Sequence, residues 1–173
     1  MRPSLAALTR ARARLPVPRG PAVTVLGYHR VDLDGGGLAV RPATFAAQME
    51  ALDAGRDRLP VLGLAEAVGA VHGGTVRQAV VLTFDDAWAD NYTHALGPLV
   101  DHALPATLYA PSRLLSTPGY LSVDQLREMS AAGVAIGAHT RTHPDLRRCT
   151  DRELLDEIRG SRDDLEDLLQ QPV

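Results

Sequence analysis

Residues 80–91, VVLTFDDAWADN, run apolar as far as Phe84 and then set two carboxylates side by side, Asp85 and Asp86. The run AVVLTF at 79–84 predicts a strand covered on both faces, as in a parallel sheet. It delivers the acidic pair to its C-terminal end. Adjacent carboxylates in a pocket raise each other's pKa, so their pairing does not by itself stabilise a fold. One answer is a metal ion, with one carboxylate as ligand and the other free to move a proton. The other is structural: Asp after a strand commonly caps the next helix by accepting from its free N–H groups at the positive end of the helix dipole. This stretch alone leaves both open.

Working outward, AVTVLGY at 22–28 predicts a buried strand with His29 at its end and a Gly-rich loop at 35–37. Phe45, Met49 and Leu52 follow Pro42 at helical spacing and predict a helix over 43–54 that ends near Gly55. A short strand near 59–62 and a helix near 64–72 complete the chain before the acidic strand. Beyond it, 90–103 predicts a helix despite Gly97 and Pro98, and ATLYA at 106–110 predicts a strand. The capping box S-V-D-Q at 122–125 opens a helix to about Ala132, and VAIGA at 134–138 predicts a strand that ends in His139. A second capping box, T-D-R-E at 150–153, opens a long helix with Leu154, Leu155, Ile158, Leu165, Leu168 and Leu169 on one side.

Strands alternating with helices imply a mainly parallel α/β sheet or barrel, whose sites form at the C-terminal ends of the strands. His29, the Asp85–Asp86 pair and His139 fall at three such ends. AHTRTHPDL at 138–146 adds His143, four residues after His139, a spacing that puts two imidazoles on one side of a turn. Pro144 argues against a regular helix through both, and an HxxxH pair by itself is also compatible with two incidental histidines. Together with Asp86 it makes a two-histidine, one-carboxylate set with open positions, suited to Zn²⁺ or another divalent first-row metal. That is a hydrolytic type of metal site.

The chain of 173 residues suits one domain, and 45% apolar with 23% charged residues is ordinary for a soluble globular protein. Residues 1–20 carry five arginines and no acid, which predicts a disordered basic arm ahead of a domain over 21–173. The body then has 13 basic against 21 acidic residues, a balance of −8 that, with 4% aromatic residues, disfavours nucleic acid as a partner. No apolar run nears the roughly 18 residues of a membrane span. The longest apolar stretch of the arm, LAAL at 5–8, is shorter than a secretory core of about 7–15 residues, so the sequence reads as cytoplasmic. The lone Cys149 excludes an internal disulfide and a multi-cysteine zinc site.

LTFDD at 82–86, ADNYTHALGPLVDHALPATLYAP at 89–111 and GAHTRTHPDL at 137–146 resemble the polysaccharide deacetylase family, the NodB-type carbohydrate esterase family four. The resemblance runs from about residue 22 to the C-terminus. It implies an incomplete, distorted (β/α) barrel. Asp85 would be the general base, Asp86, His139 and His143 the ligands of a divalent metal with zinc as first choice, and Thr140 and Pro144 the residues that shape the loop. GYHRVD at 27–32 resembles the opening motif of a circularly permuted subgroup acting on poly-N-acetylglucosamine, which implies His29 as general acid. A strand-end histidine bonded to a nearby carbonyl is the structural alternative.

The implied reaction is hydrolysis of the N-acetyl amide of a polysaccharide or sugar conjugate, and the family often acts at the cell envelope. Two departures stand out. Ala87 occupies a position where the family usually has Gly, harmless if the backbone there is ordinary. The sequence stops at Gln171, Pro172 and Val173, where the family continues into an aromatic-Pro-Tyr-Gly strand. From this an open sheet edge at 134–138, self-association and weak activity are expected, and a catalytically impaired module that binds metal or glycan is the alternative function. A phosphohydrolase of the haloacid-dehalogenase kind is disfavoured, because that pattern sets its acids two apart.

Overall fold

The computed structural model describes residues 20–33 and 37–173. The basic arm, Gly20 apart, and the Gly-rich loop, Gly37 apart, lie outside the described residues. Six strands and five α-helices follow in the order β1 (Ala22–Tyr28), β2 (Arg30–Val31), β3 (Ala39–Val40), α1 (Pro42–Gly55), α2 (Leu64–His72), β4 (Gln78–Asp85), α3 (Leu96–Asp101), β5 (Ala106–Ala110), α4 (Val123–Ala131), β6 (Ala135–Ala138) and α5 (Asp151–Leu169). The main sheet has the order β1-β4-β5-β6, and every pairing in it is parallel. This is the expected α/β architecture.

β4 shows why the acidic strand is central. Val80, Leu82 and Phe84 enter the main core on one face, while Ala79 and Val81 meet Ala67 of α2 on the other. A strand covered on both faces reads as a continuous apolar run. Tyr28, Phe45 of α1 and Phe84 form an aromatic trio with centroids 5.2 to 5.8 Å apart, so β1, α1 and β4 meet directly beneath the C-terminal edge of the sheet. Among the described residues no helix is long and apolar enough to cross a membrane.

Three expectations are corrected. β1 is not a buried strand: it pairs with β4 alone, lies at one edge of the sheet, and leaves Val25 half exposed. The strand expected near 59–62 shrinks to a single bridge between Val61 and Val80; Pro60, which has no N–H, contributes only its carbonyl. The helix expected over 90–103 contains a wide π turn over Asn91–Ala95 before α3, with the Leu96 N–H bonded five residues back to the Asn91 carbonyl. Pro98 cannot donate to a carbonyl four residues earlier, so a regular ladder does not run through this stretch. The apolar residues of α5 share one side, and burial varies along it: Leu155 and Ile158 are more than half exposed while Leu165 is fully buried.

Both capping boxes are present, with Ser122 and Gln125 closing the start of α4 and Thr150 and Glu153 that of α5. Register then aligns the strand ends. Tyr28 lies opposite Phe84, Asp85 opposite Tyr109, and Ala110 opposite Ala138, so residues 29, 85, 86 and 139 all emerge on the same edge.

Candidate metal centre

The five residues expected from sequence to form the site come together as a triangle and a pair. Asp86 Oδ1 lies 3.2 Å from His143 Nε2 and 3.4 Å from His139 Nε2, and the two imidazole nitrogens are 3.2 Å apart. The fourth, Asp85, stands outside this triangle and faces His29, the fifth, with His29 Nε2 3.9 Å from Asp85 Oδ2. Both members of that pair are about one third exposed, open to a substrate.

The triangle fits a metal ion on its own geometry. Tetrahedral coordination with bonds of about 2.0–2.1 Å gives ligand-to-ligand edges of about 3.3–3.4 Å, close to the spacings here. Asp86 Oδ1 is buried and no hydrogen bond reaches it. Two imidazole nitrogens and a carboxylate oxygen converging in this way present lone pairs to one point, an arrangement a cation stabilises. The capping reading of the acidic pair finds no support, because among the described residues neither carboxylate accepts from a backbone N–H.

Each functional side chain has its own support, and these were not legible as functional in the sequence. The Trp88 indole N–H donates to Asp86 Oδ2 at 3.2 Å, which turns the other oxygen towards the histidines. The Trp88 ring stacks on Tyr120 with centroids 4.6 Å apart, and the Arg30 guanidinium lies over it at 5.2 Å. His29 is fixed through its backbone: the buried Asn91 donates to the His29 carbonyl at 2.9 Å, and Asp90 accepts from the Val31 N–H at 3.0 Å and from Arg30 Nε at 2.8 Å. Trp88, Asp90 and Asn91 all belong to the stretch that announced the site.

The histidine loop is held from elsewhere. Glu157 of α5, nearly buried, accepts from the backbone N–H groups of Arg141 (2.7 Å) and Thr142 (2.9 Å) and from the Thr142 hydroxyl (2.7 Å). Burial pushes its pKa up, but those three bonds outweigh it and hold the carboxyl below its ordinary value. Ser161 donates to the Thr140 carbonyl at 2.6 Å. Asp164 takes a two-point contact from Arg141, at 2.7 and 2.9 Å, and a bond from Ser112 at 2.8 Å. The Arg141 guanidinium bonds are the main reason its pKa is lowered.

Backbone strain concentrates here. Asp86, Ala87, Thr140 and His143 all have left-handed φ, at 75°, 56°, 65° and 57°. The condition under which Ala87 would be harmless, an ordinary backbone, is not met: the position is one that glycine occupies more cheaply, by about 1–2 kcal/mol. Non-glycine residues persist in this region when their surroundings over-determine them, as they do at sites.

Known proteins resemble this chain in sequence and in fold. A family model described as Polysaccharide deacetylase matches residues 72–173. A chitooligosaccharide deacetylase of Bradyrhizobium sp. (strain ANU 289) is 34% identical over 101 residues, covering 58% of this chain and 43% of that protein. The crystal structure of BC0361, a polysaccharide deacetylase from Bacillus cereus, superposes with a TM-score of 0.75 at 32% identity, covering 89% of this chain and 49% of the other. Streptococcus pyogenes deacetylase PplD, in complex with acetate, gives a TM-score of 0.75 over 90% of this chain and 72% of its own at 24% identity, a likeness of fold. The chain spans 30% to 43% of the length of three curated relatives that it matches.

Proposed function

We propose that this chain, which belongs to the polysaccharide deacetylase family, removes acetyl groups from the nitrogen of an N-acetylated glycan or sugar conjugate. The observation that carries the reading is the triangle of Asp86, His139 and His143 with a free carboxylate, Asp85, and a histidine, His29, beside it. The chitooligosaccharide deacetylase among the relatives supports a sugar-oligomer substrate.

Asp86 and the two histidines would hold a divalent first-row cation, with zinc the best match to the donor set. When bound, it supplies a Lewis acid for the amide carbonyl and acidifies water. The remaining steps fall to the chain's own groups. Asp85, committed to no ligand contact, takes a proton from the attacking water as the carbon–oxygen bond forms. His29 Nε2, on the same edge, gives a proton to the amide nitrogen as the carbon–nitrogen bond breaks, and acetate and a free amine leave. Asn91 keeps the His29 backbone at the level of the strand ends.

The test combines zinc content with acetate release from N-acetylglucosamine oligomers. Asp85→Asn should retain the metal and slow acetate release by about 10² or more, the usual weight of a positioned acid or base. Metal content unchanged in the His139→Ala, His143→Ala double variant would overturn the ligand set. Zinc bound without acetate release would favour the alternative, a module that binds metal or glycan. Loss of His29 should slow release of a sugar amine far more than hydrolysis of an aryl acetate, whose leaving group departs without a proton; equal losses would make His29 structural.

A further inference from the structure

The loop 139–143 has little of its own to fix it. It leaves β6, a strand paired on one side among the described residues, and carries left-handed φ at Thr140 and His143. Within the loop, the His143 N–H donates to Thr140 Oγ1 at 3.0 Å. The Ser112 and Arg113 N–H groups donate to the Thr140 and Arg141 carbonyls at 3.1 and 2.9 Å, and the side chains that tie the loop to the body come from α5. Glu157, Ser161 and Asp164, at i, i+4 and i+7, lie on one side of that helix and reach residues 140, 141 and 142, the three between the histidines. Gly160 belongs to the same side. An added Cβ there would stand 2.3 Å from Arg141 Cζ, so the bare backbone of Gly160 is what lets the guanidinium lie against the helix.

We propose that α5 is the positioning device for the histidine pair and that Glu157 is its principal positioning residue. This rests on the reading of Asp86, His139 and His143 as metal ligands. One carboxylate holds two successive backbone N–H groups and the Thr142 hydroxyl, and so fixes the backbone that separates the two imidazoles. Without it, two backbone donors lose their acceptor, the loop reorganises to satisfy them, and the 3.2 Å approach of the imidazoles is no longer enforced. Glu157 touches no ligand atom; it acts through the chain between the ligands.

The experiment measures the zinc dissociation constant by competition with a chromophoric chelator. Trp88, the single tryptophan of the chain and bonded to Asp86, gives an independent emission signal for occupancy. Glu157→Ala should weaken zinc by about 10- to 100-fold, the usual effect of losing a group that orients ligands. Glu157→Gln keeps an oxygen for the two backbone N–H groups and should recover to within about threefold of the parent, well short of that loss. Leu52→Ala, in α1, should lower the melting temperature and leave the zinc constant unchanged, which separates positioning from general destabilisation.

A parent chain that binds zinc beside a Glu157→Ala chain that binds it within about threefold would overturn the proposal, since second-layer losses run larger. So would a Glu157→Gln variant as weak as Glu157→Ala. If Glu157→Ala does not fold, Ser161→Ala, which removes one bond to the Thr140 carbonyl, decides: weakened zinc supports the clamp and unchanged zinc overturns it. A parent that binds no zinc fails differently, because it overturns the ligand reading first and the clamp with it.

Discussion

The two turns that carry the candidate ligands are built by different means. The turn at 85–91 follows β4, the strand buried on both faces; Trp88 bonds Asp86 within it, the backbone of Ala87 and Ala89 pairs with Leu121 and Gly119, and Asp90 and Asn91 hold the segment at 29–31. The loop at 139–143 follows β6 at the edge of the sheet and is held by the backbone of Ser112 and Arg113 and by side chains of a helix 14 to 25 positions further along the chain, Glu157, Ser161 and Asp164. In one half of the centre the ligand is aimed locally, by Trp88 two residues further on. The other is assembled by tertiary contact, and its geometry depends on a helix that supplies no ligand.

The largest expected effect tests the local half. Trp88→Phe keeps a ring to stack on Tyr120 and removes the N–H that fixes Asp86, so zinc affinity should fall by about 10- to 100-fold with little change in melting temperature. Chelator competition measures this, and an unchanged constant would mean that burial alone aims the carboxylate.

Gly160→Ala tests the tertiary half and should invert a general rule. In an exposed helix the change stabilises by about 1 kcal/mol. Against the Arg141 guanidinium it should instead cost about 1–3 kcal/mol, the range for overpacking, and weaken zinc as well. A melting temperature that rises would show that Arg141 swings away freely.

Acid should loosen the second half. Asp164 has a lowered pKa, so its contribution is complete above the unfolded carboxyl value of about 3.9 and is lost as pH falls through the lower folded value. In metal-free protein, the melting-temperature gap between the parent and Asp164→Asn should be widest near pH 6 and close below about pH 4, from that same reference value. A gap independent of pH would mean that the Arg141 contact survives neutralisation.

The smallest effect belongs to Ala87→Gly. Relief of left-handed backbone, about 1–2 kcal/mol, is offset by loss of a fully buried methyl worth about 0.8 kcal/mol. Chemical denaturation should register a gain of no more than about 1 kcal/mol, the difference of those two; a clear loss would show that Ala87 packing outweighs its backbone cost.

Much of this was written in the residue pattern. The apolar run into Asp85 marks a central parallel strand, the two capping boxes start α4 and α5, and the strand-end positions of His29, Asp86 and His139 single out one edge of the sheet. Trp88 and the Asp90–Asn91 pair were not legible as functional, because a tryptophan in a turn and an Asp-Asn pair at the start of a helix have ordinary uses. The polar side of α5 carried none, since Glu157, Ser161 and Asp164 at helical spacing look like a solvated face.

What the sequence determined by itself was local: strand and helix identity, which residue types stand at strand ends, and the donor set they could form. Periodicity and capping depend on neighbours a few residues apart, and those are visible in the string. The tertiary structure alone decided that β1 is a half-exposed edge, that Ala87 is left-handed, and that α5 turns its polar side inward to hold the histidine loop. The physical reason is that a hydrogen-bonding side chain satisfied by water and one satisfied by a distant backbone are the same letters, and only the packing of helix against loop removes the water.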